Sequence, residues 1–181
     1  MSALSFLGVL FLCHSHATLS QHSQGDYPDA NEVMQKLPQT YMLQFGRHYP
    51  KLICGYQVFY NATLQKKTYQ KYDLFFRYAG GRSFNQPLYV KKVINYPICM
   101  GTRPEPELEP THELQILFSD MGSCMIAKNP NPKLPGACRL MMTKETFFTP
   151  PSICLSKFQD HCGSTVFNYT IKDCPYPEAT Q

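Results

Sequence analysis

The chain has 181 residues, 17 Lys and Arg against 13 Asp and Glu, a net charge of +4, eight cysteines and no tryptophan. That length suits one domain with a real core. The charge is uneven, with ten basic and four acidic residues in 1–100 against seven and nine in 101–181. Only Lys66, Lys67, Tyr69, Lys71 and Tyr72 approach the basic, aromatic-interleaved face that nucleic acid needs, and a solvated hairpin explains them better.

The chain opens on an apolar run, Met1 to Leu12, followed by Ser15 and Ala17. This reads as a secretory signal covering residues 1–17, with a single domain over 18–181. The run is too short to span a bilayer, and no later run is long enough, so no membrane partner is expected. Cys13 would leave with the signal. The remaining cysteines are Cys54, Cys99, Cys124, Cys138, Cys154, Cys162 and Cys174. In a secreted chain these are disulfide partners first, and an odd number leaves one thiol over. Asn61-Ala62-Thr63 and Asn168-Tyr169-Thr170 are N-glycosylation acceptors that fit the same route.

In chain order, a short helix is predicted over 29–37, DANEVMQKL. Strands follow at 41–45, 52–60, 72–78, 87–98, 113–120, 124–128, 138–143 and 167–171. They are short, rich in aromatic and branched residues, and separated by turn material such as AGGRS, NPNPKLPG and the acidic TRPEPELEPT. About eight such strands suit a small closed barrel. Between the last two lies TPPSICLSKFQDHCG, which predicts a helix. Thr149 or Ser152 would cap it, Pro150 or Pro151 would sit in its first turn, and Gly163 would end it. Cys154, Phe158 and Cys162 then share one face.

Zinc and catalysis find little support. Structural zinc sites use closely spaced ligand pairs, whereas Cys154 and Cys162 are eight apart and His22, His48, His112 and His161 are scattered. There is no G-x-S-x-G elbow, phosphate loop or dinucleotide fingerprint. No metal, cofactor or enzymatic activity is expected.

The motifs occur in a recognisable order. Asp29-Ala30-Asn31 opens a helix, Tyr41-Met42-Leu43 enters a strand, and Cys54 lies in the next. Ser119-Asp120 precedes Cys124-Met125-Ile126, and after a proline-rich loop comes Cys138-Arg139-Leu140. Then P-P-x-x-C-x-x-x-F-x-x-x-C-G runs from Pro150 to Gly163, and Cys174 lies near the end. From Asp29 to Cys174 this order resembles the tick salivary lipocalins, the histamine-binding-protein family. The resemblance implies an eight-stranded antiparallel barrel with an internal ligand cavity, a C-terminal helix packed outside and a short N-terminal helix. It also implies bridges Cys54–Cys174, Cys124–Cys154 and Cys138–Cys162, with Cys99 unpaired. Spacing alone leaves the connectivity open.

If Cys124 and Cys138 point outward to the helix, period-two alternation turns Met125, Arg139 and Met141 inward and leaves Ile126 and Leu140 beneath the helix. Amine-binding members of the family carry an aspartate after the first of these cysteines and Glu-Leu-Trp or Glu-Leu-Tyr in the second strand. Here Met125 and Arg139-Leu140-Met141 stand there. An ammonium buried beside Arg139 without a carboxylate is strongly disfavoured, so histamine or serotonin is not the expected ligand. An inward Arg among methionines suits an apolar tail with an anionic head, of fatty-acid or leukotriene type. The alternatives are that Arg139 reaches solvent or pairs with Glu145, and that Met125 and Met141 fill core. Tyr41, Phe45, Tyr56, Phe59, Phe75, Arg77 and Tyr89 are further wall candidates, although LFF, VFY and YVKKV break clean alternation.

Two functions follow: a monomeric secreted scavenger of a small host mediator, or an inhibitor binding a host protein of complement, clotting or immunity through its loops. The 102–113 segment and the QKKTYQK hairpin would serve the second. Cys99 is either a buried small side chain or an intermolecular bridge.

Overall fold

The structure, a computed structural model, describes residues 24–131, 137–172 and 174. The predicted signal segment 1–17, with Cys13, and His22 lie outside these residues, as do residues 132–136 of the NPNPKLPG loop.

A short helix, α1 (Ala30–Lys36), comes first, and Asp29 caps it by accepting the Glu32 backbone N–H at 2.9 Å. Strands follow as β1 (Gln39–Phe45), β2 (Leu52–Leu64), β3 (Lys67–Tyr78), β4 (Ser83–Val93), β5 (Pro97–Gly101), β6 (His112–Ser119), β7 (Cys124–Lys128) and β8 (Cys138–Met142). Each pairs antiparallel with the next, β8 pairs with β1, and β1 pairs with β2, which closes the sheet into an eight-stranded barrel. Closure leaves no free edge among these strands. Helix α2 (Ser152–Cys162) and a two-residue strand, β9 (Phe167–Asn168), complete the order.

The expected strand over 87–98 is two strands. Asn95 takes a left-handed φ of 53°, which Asn tolerates better than most residues, and Pro97 then opens β5. The Ile94 N–H donates to the Pro97 carbonyl at 3.0 Å to close the turn. The segment expected as the eighth strand, 167–171, is instead the short β9. It pairs with Gln44 and Phe45 of β1, beyond the stretch of β1 that pairs with β2.

Alternation divides the apolar side chains into two cores. Met42, Tyr72, Leu88, Ile98, Leu114, Ile116, Met125 and Met141 fill the barrel, and Ala30, Val33, Met34 and Leu37 close one end with α1. A second core lies outside, where Phe118, Ile126, Leu140 and Met142 meet Cys154 and Phe158 of α2. Pro151 is the N-cap of α2 without a side-chain cap bond, so neither Thr149 nor Ser152 caps it. Gly163 does end it, at φ 83°. Bridges Cys124–Cys154 and Cys138–Cys162 tie this helix to β7 and β8, and Cys54–Cys174 ties the C-terminal segment to β2. Asp26 adds an ionic tie from the N-terminal segment to α2, 2.8 Å from Lys157 and 3.0 Å from His161. No helix among the described residues is long and apolar enough to cross a membrane.

Asp120 organises the turn into β7. Its Oδ1 accepts backbone N–H bonds from Gly122 at 3.1 Å, Ser123 at 2.7 Å and Cys124 at 2.9 Å. Burial acts to raise its pKa, but the Cys124, Ser123 and Gly122 donors outweigh it and hold the carboxyl below its ordinary range. A depressed folded-state pKa gives stability that is present above the unfolded value and lost as pH falls through the folded one. Asp120→Ala is therefore expected to cost on the order of 1 kcal/mol at neutral pH, after discounting for solvent exposure. The difference should shrink in acid. Urea unfolding of both proteins at pH 7 and pH 2.5 measures it, and a pH-independent difference would count against this origin.

Candidate functional site

The barrel is filled at the α1 end and open at the other. A cavity of about 270 Å³ lies at the open end, walled by inward residues of β1 to β6 and β8 together with loop residues Tyr49, Asn129 and Ala137. Its apolar depth is Met42, Leu74, Leu88, Met100 and Leu114, all buried. Tyr49, Phe76, Tyr78 and Phe84, with Leu52, form a largely aromatic upper wall, and Tyr49 stacks on Phe45 at 5.2 Å. The polar lining is Gln86, His112, Glu113, Asn129 and Arg139.

Arg139 reaches this wall because β8 begins at the open end and pairs it with Ala127 and Phe45. Its Nε is buried and has no hydrogen-bond partner among the described residues. It forms no ion pair there either, with Glu145 or any other carboxylate. Glu113, at the rim, is solvent-exposed. Opposite, the Gln86 side-chain amide donates to His112 Nε2 at 2.9 Å, leaving Nδ1 to donate to Thr111 Oγ1 at 2.8 Å. Below the cavity Tyr72 donates to Gln57 Oε1, and Gln57 Nε2 donates to the Met125 sulfur at 3.5 Å. Burial pushes the Tyr72 hydroxyl up to about 12, against the pull of the Arg139 charge. It remains a proton donor throughout the physiological range.

Of the residues proposed from sequence, Arg139 and Phe45 line the cavity. Met125 and Met141 face inward but lie in the packed interior, 1% and 2% exposed. Phe59 also packs against the interior. Tyr41, Tyr56, Phe75 and Arg77 do not line the cavity, which corrects the expectation. Tyr41, Tyr56 and Phe75 belong to the outer core, with Tyr56 stacked on Phe75 at 4.6 Å, and Arg77 flanks that pair. The reason is phase. Leu74, Phe76 and Tyr78 point in, so Phe75 and Arg77 point out. A register shift between Met42 and Gln44 lets Met42 and Phe45, three residues apart, share the inner face. Tyr89 is outside too, with Lys71 over its ring at 5.4 Å.

Sequence reasoning missed Met42, Leu74, Gln86, Leu88, Met100 and the His112–Leu114–Ile116 series. The alternation in HELQI was the available signal for the last of these. Cys99 is a free, half-buried thiol, its pKa raised by burial and by Glu113 against the pull of Lys92, which makes it a poorer nucleophile. Both sequon asparagines are exposed, although Asn168 Oδ1 accepts a bond from Gln44 at 3.1 Å.

The chain matches the tick histamine binding protein family over residues 19–176. No curated protein matches it significantly. Among solved structures, the siderocalin Ex-FABP, described as functioning through dual ligand specificities, is 11% identical. It covers 82% of this chain and 97% of its own, with a TM-score of 0.41. The family match takes in both helices, all nine strands and all three bridges: this chain belongs to the tick histamine-binding protein family, whose members are lipocalin-type ligand-binding barrels.

Proposed function

We propose that the protein is a secreted scavenger that holds a small host mediator in the open half of its barrel, an anionic lipid of fatty-acid or leukotriene type rather than a biogenic amine. The observation that carries this reading is Arg139, a permanent cation in the cavity wall whose Nε is buried and has no partner among the described residues. A carboxylate there would accept paired, charge-assisted hydrogen bonds from the guanidinium. An ammonium would meet like charge with only the exposed Glu113 to offset it. Met42 and Met100 give the apolar tail walls that adapt to its shape. At about 270 Å³ the cavity falls just under the usual range for drug-sized ligands, which favours a short tail or a shift of the methionine floor.

The three disulfides support an oxidising compartment and thus secretion as a single domain over 18–181 after removal of 1–17. In this reading Cys99 stays a free thiol and the protein is a monomer.

The packed lower half of the barrel favours a second reading, an inhibitor that binds a host protein through its loops. Exposed Glu105, Glu107 and Glu109 on one loop and Lys66 and Lys67 on the β2–β3 hairpin would steer such a partner. Native mass spectrometry with a panel of fatty acids, leukotrienes, histamine and serotonin separates the two. A one-to-one adduct with an acidic lipid supports the scavenger; no adduct with any member supports the loop reading.

A further inference from the structure

The barrel interior contains polar groups that a simple packed floor would not. Thr40 and Tyr72 are 0% exposed and Gln57 is 2% exposed. Thr40 Oγ1 has no hydrogen-bond partner among the described residues. The Gln57 amide nitrogen bonds a thioether, a weak acceptor. The Thr40 hydroxyl and the Gln57 amide nitrogen gave up water on folding and regained little, an arrangement that packed interiors normally avoid.

Their position gives them a use. Cross-strand register aligns Thr40 with Gln57, Gln57 with Leu74, and Leu74 with Gln86. The last two line the cavity. Thr40 and Gln57 therefore continue a row of inward residues from the cavity wall into the packed interior. Tyr72 lies two residues from Leu74 on the same face and bonds Gln57. What lies along this boundary is deformable. Met42 is in the cavity wall, and Gly55, with no side chain, leaves its methyl group room.

We propose that Thr40, Gln57 and Tyr72 form a second, sealed polar subsite that takes a neutral hydroxyl or carbonyl carried along the ligand's chain, once Met42 swings aside. Between them they offer a hydroxyl, an amide and a phenol, which both donate and accept, and no charge. The subsite rests on the reading of Arg139 as the anion site, and together the two define the ligand class as an oxygenated acyl chain. Arg139 would set the sign of the head group, and the buried row would select for oxygen at one distance from it.

The test measures affinities of hexadecanoic acid and a series of monohydroxyhexadecanoic acids for the full-length secreted protein and for Thr40→Val. Val keeps the shape of Thr and removes a hydroxyl that has no partner to lose, so folding should survive. The expected result is that one hydroxyl position binds about tenfold or more tighter than the unsubstituted acid. Thr40→Val should abolish that preference and leave hexadecanoic acid unchanged. Tyr72→Phe should reduce the same preference. No preference at any position, or a preference that Thr40→Val leaves intact, overturns the subsite. If no acid binds, hexadecanol and the matching hexadecanediols are compared in the same way. A preference removed by Thr40→Val would then keep the subsite while the Arg139 reading falls, and no preference would overturn both.

Discussion

Replacing Cys54 and Cys174 together by alanine is expected to lower the unfolding free energy by about 5 kcal/mol, the largest effect of any change to a single bridge. The bond spans a sequence separation of 120, against 30 for Cys124–Cys154 and 24 for Cys138–Cys162. The longer the loop a cross-link closes, the more conformations it removes from the unfolded chain, and the shorter bridges should each contribute about 3.5 kcal/mol. The sulfurs are also buried in the outer core, where Cys54 and Cys174 pack with Tyr56 and Ile171, so alanine leaves a gap as well. Urea unfolding under non-reducing conditions measures the difference. A loss under about 2 kcal/mol would mean that the C-terminal segment is held by packing rather than by the bond.

Arg139→Leu should have two effects of opposite sign. Binding of an anionic acyl ligand should weaken by about 2–4 kcal/mol, roughly 30- to 1000-fold, because a buried charge partner is lost. The ligand-free protein should gain about 1 kcal/mol, because a buried Nε without a partner among the described residues, and its charge, are replaced by apolar volume. Arg139→Lys should fall between, keeping the charge but losing the paired geometry. Calorimetric binding and thermal unfolding of the three proteins give both numbers. Loss of stability in the apo Arg139→Leu protein would show that the guanidinium has a structural partner after all.

Much of this arrangement was legible in the chain. Cysteines opening the CMIAK and CRLMM strands placed Met125, Arg139 and Met141 on one face and Ile126 and Leu140 on the other, because a strand has a strict period of two and the bridges fix its phase. Cys154, Phe158 and Cys162 at helical spacing likewise gave the stripe that faces the barrel. Legibility failed where phase was lost. In DLFFRY, apolar residues occupy both faces, since one looks into the barrel and the other into the outer core, so Phe75 could not be told from Phe76. A bulge after Met42 reversed the facing of Phe45 relative to Tyr41, and a bulge leaves no mark in composition. Pro97 sat inside a long stretch rich in aromatic and branched residues, although a proline at the start of a strand is the usual sign of a break. How far the barrel is packed was not legible beyond core filling by Met125 and Met141, because it depends on side-chain volumes meeting across the interior from strands far apart in sequence.

We propose that the cavity selects negative charge, and a matched pair of ligands tests this. Decanoate and decylamine have the same tail and opposite heads, and isothermal titration of each into delipidated protein at neutral pH compares them without any mutation. Decanoate should bind one to one and decylamine at least tenfold more weakly, if at all. Equal binding, or tighter binding of the amine, would contradict it and return the cavity to the cation chemistry from which the family takes its name.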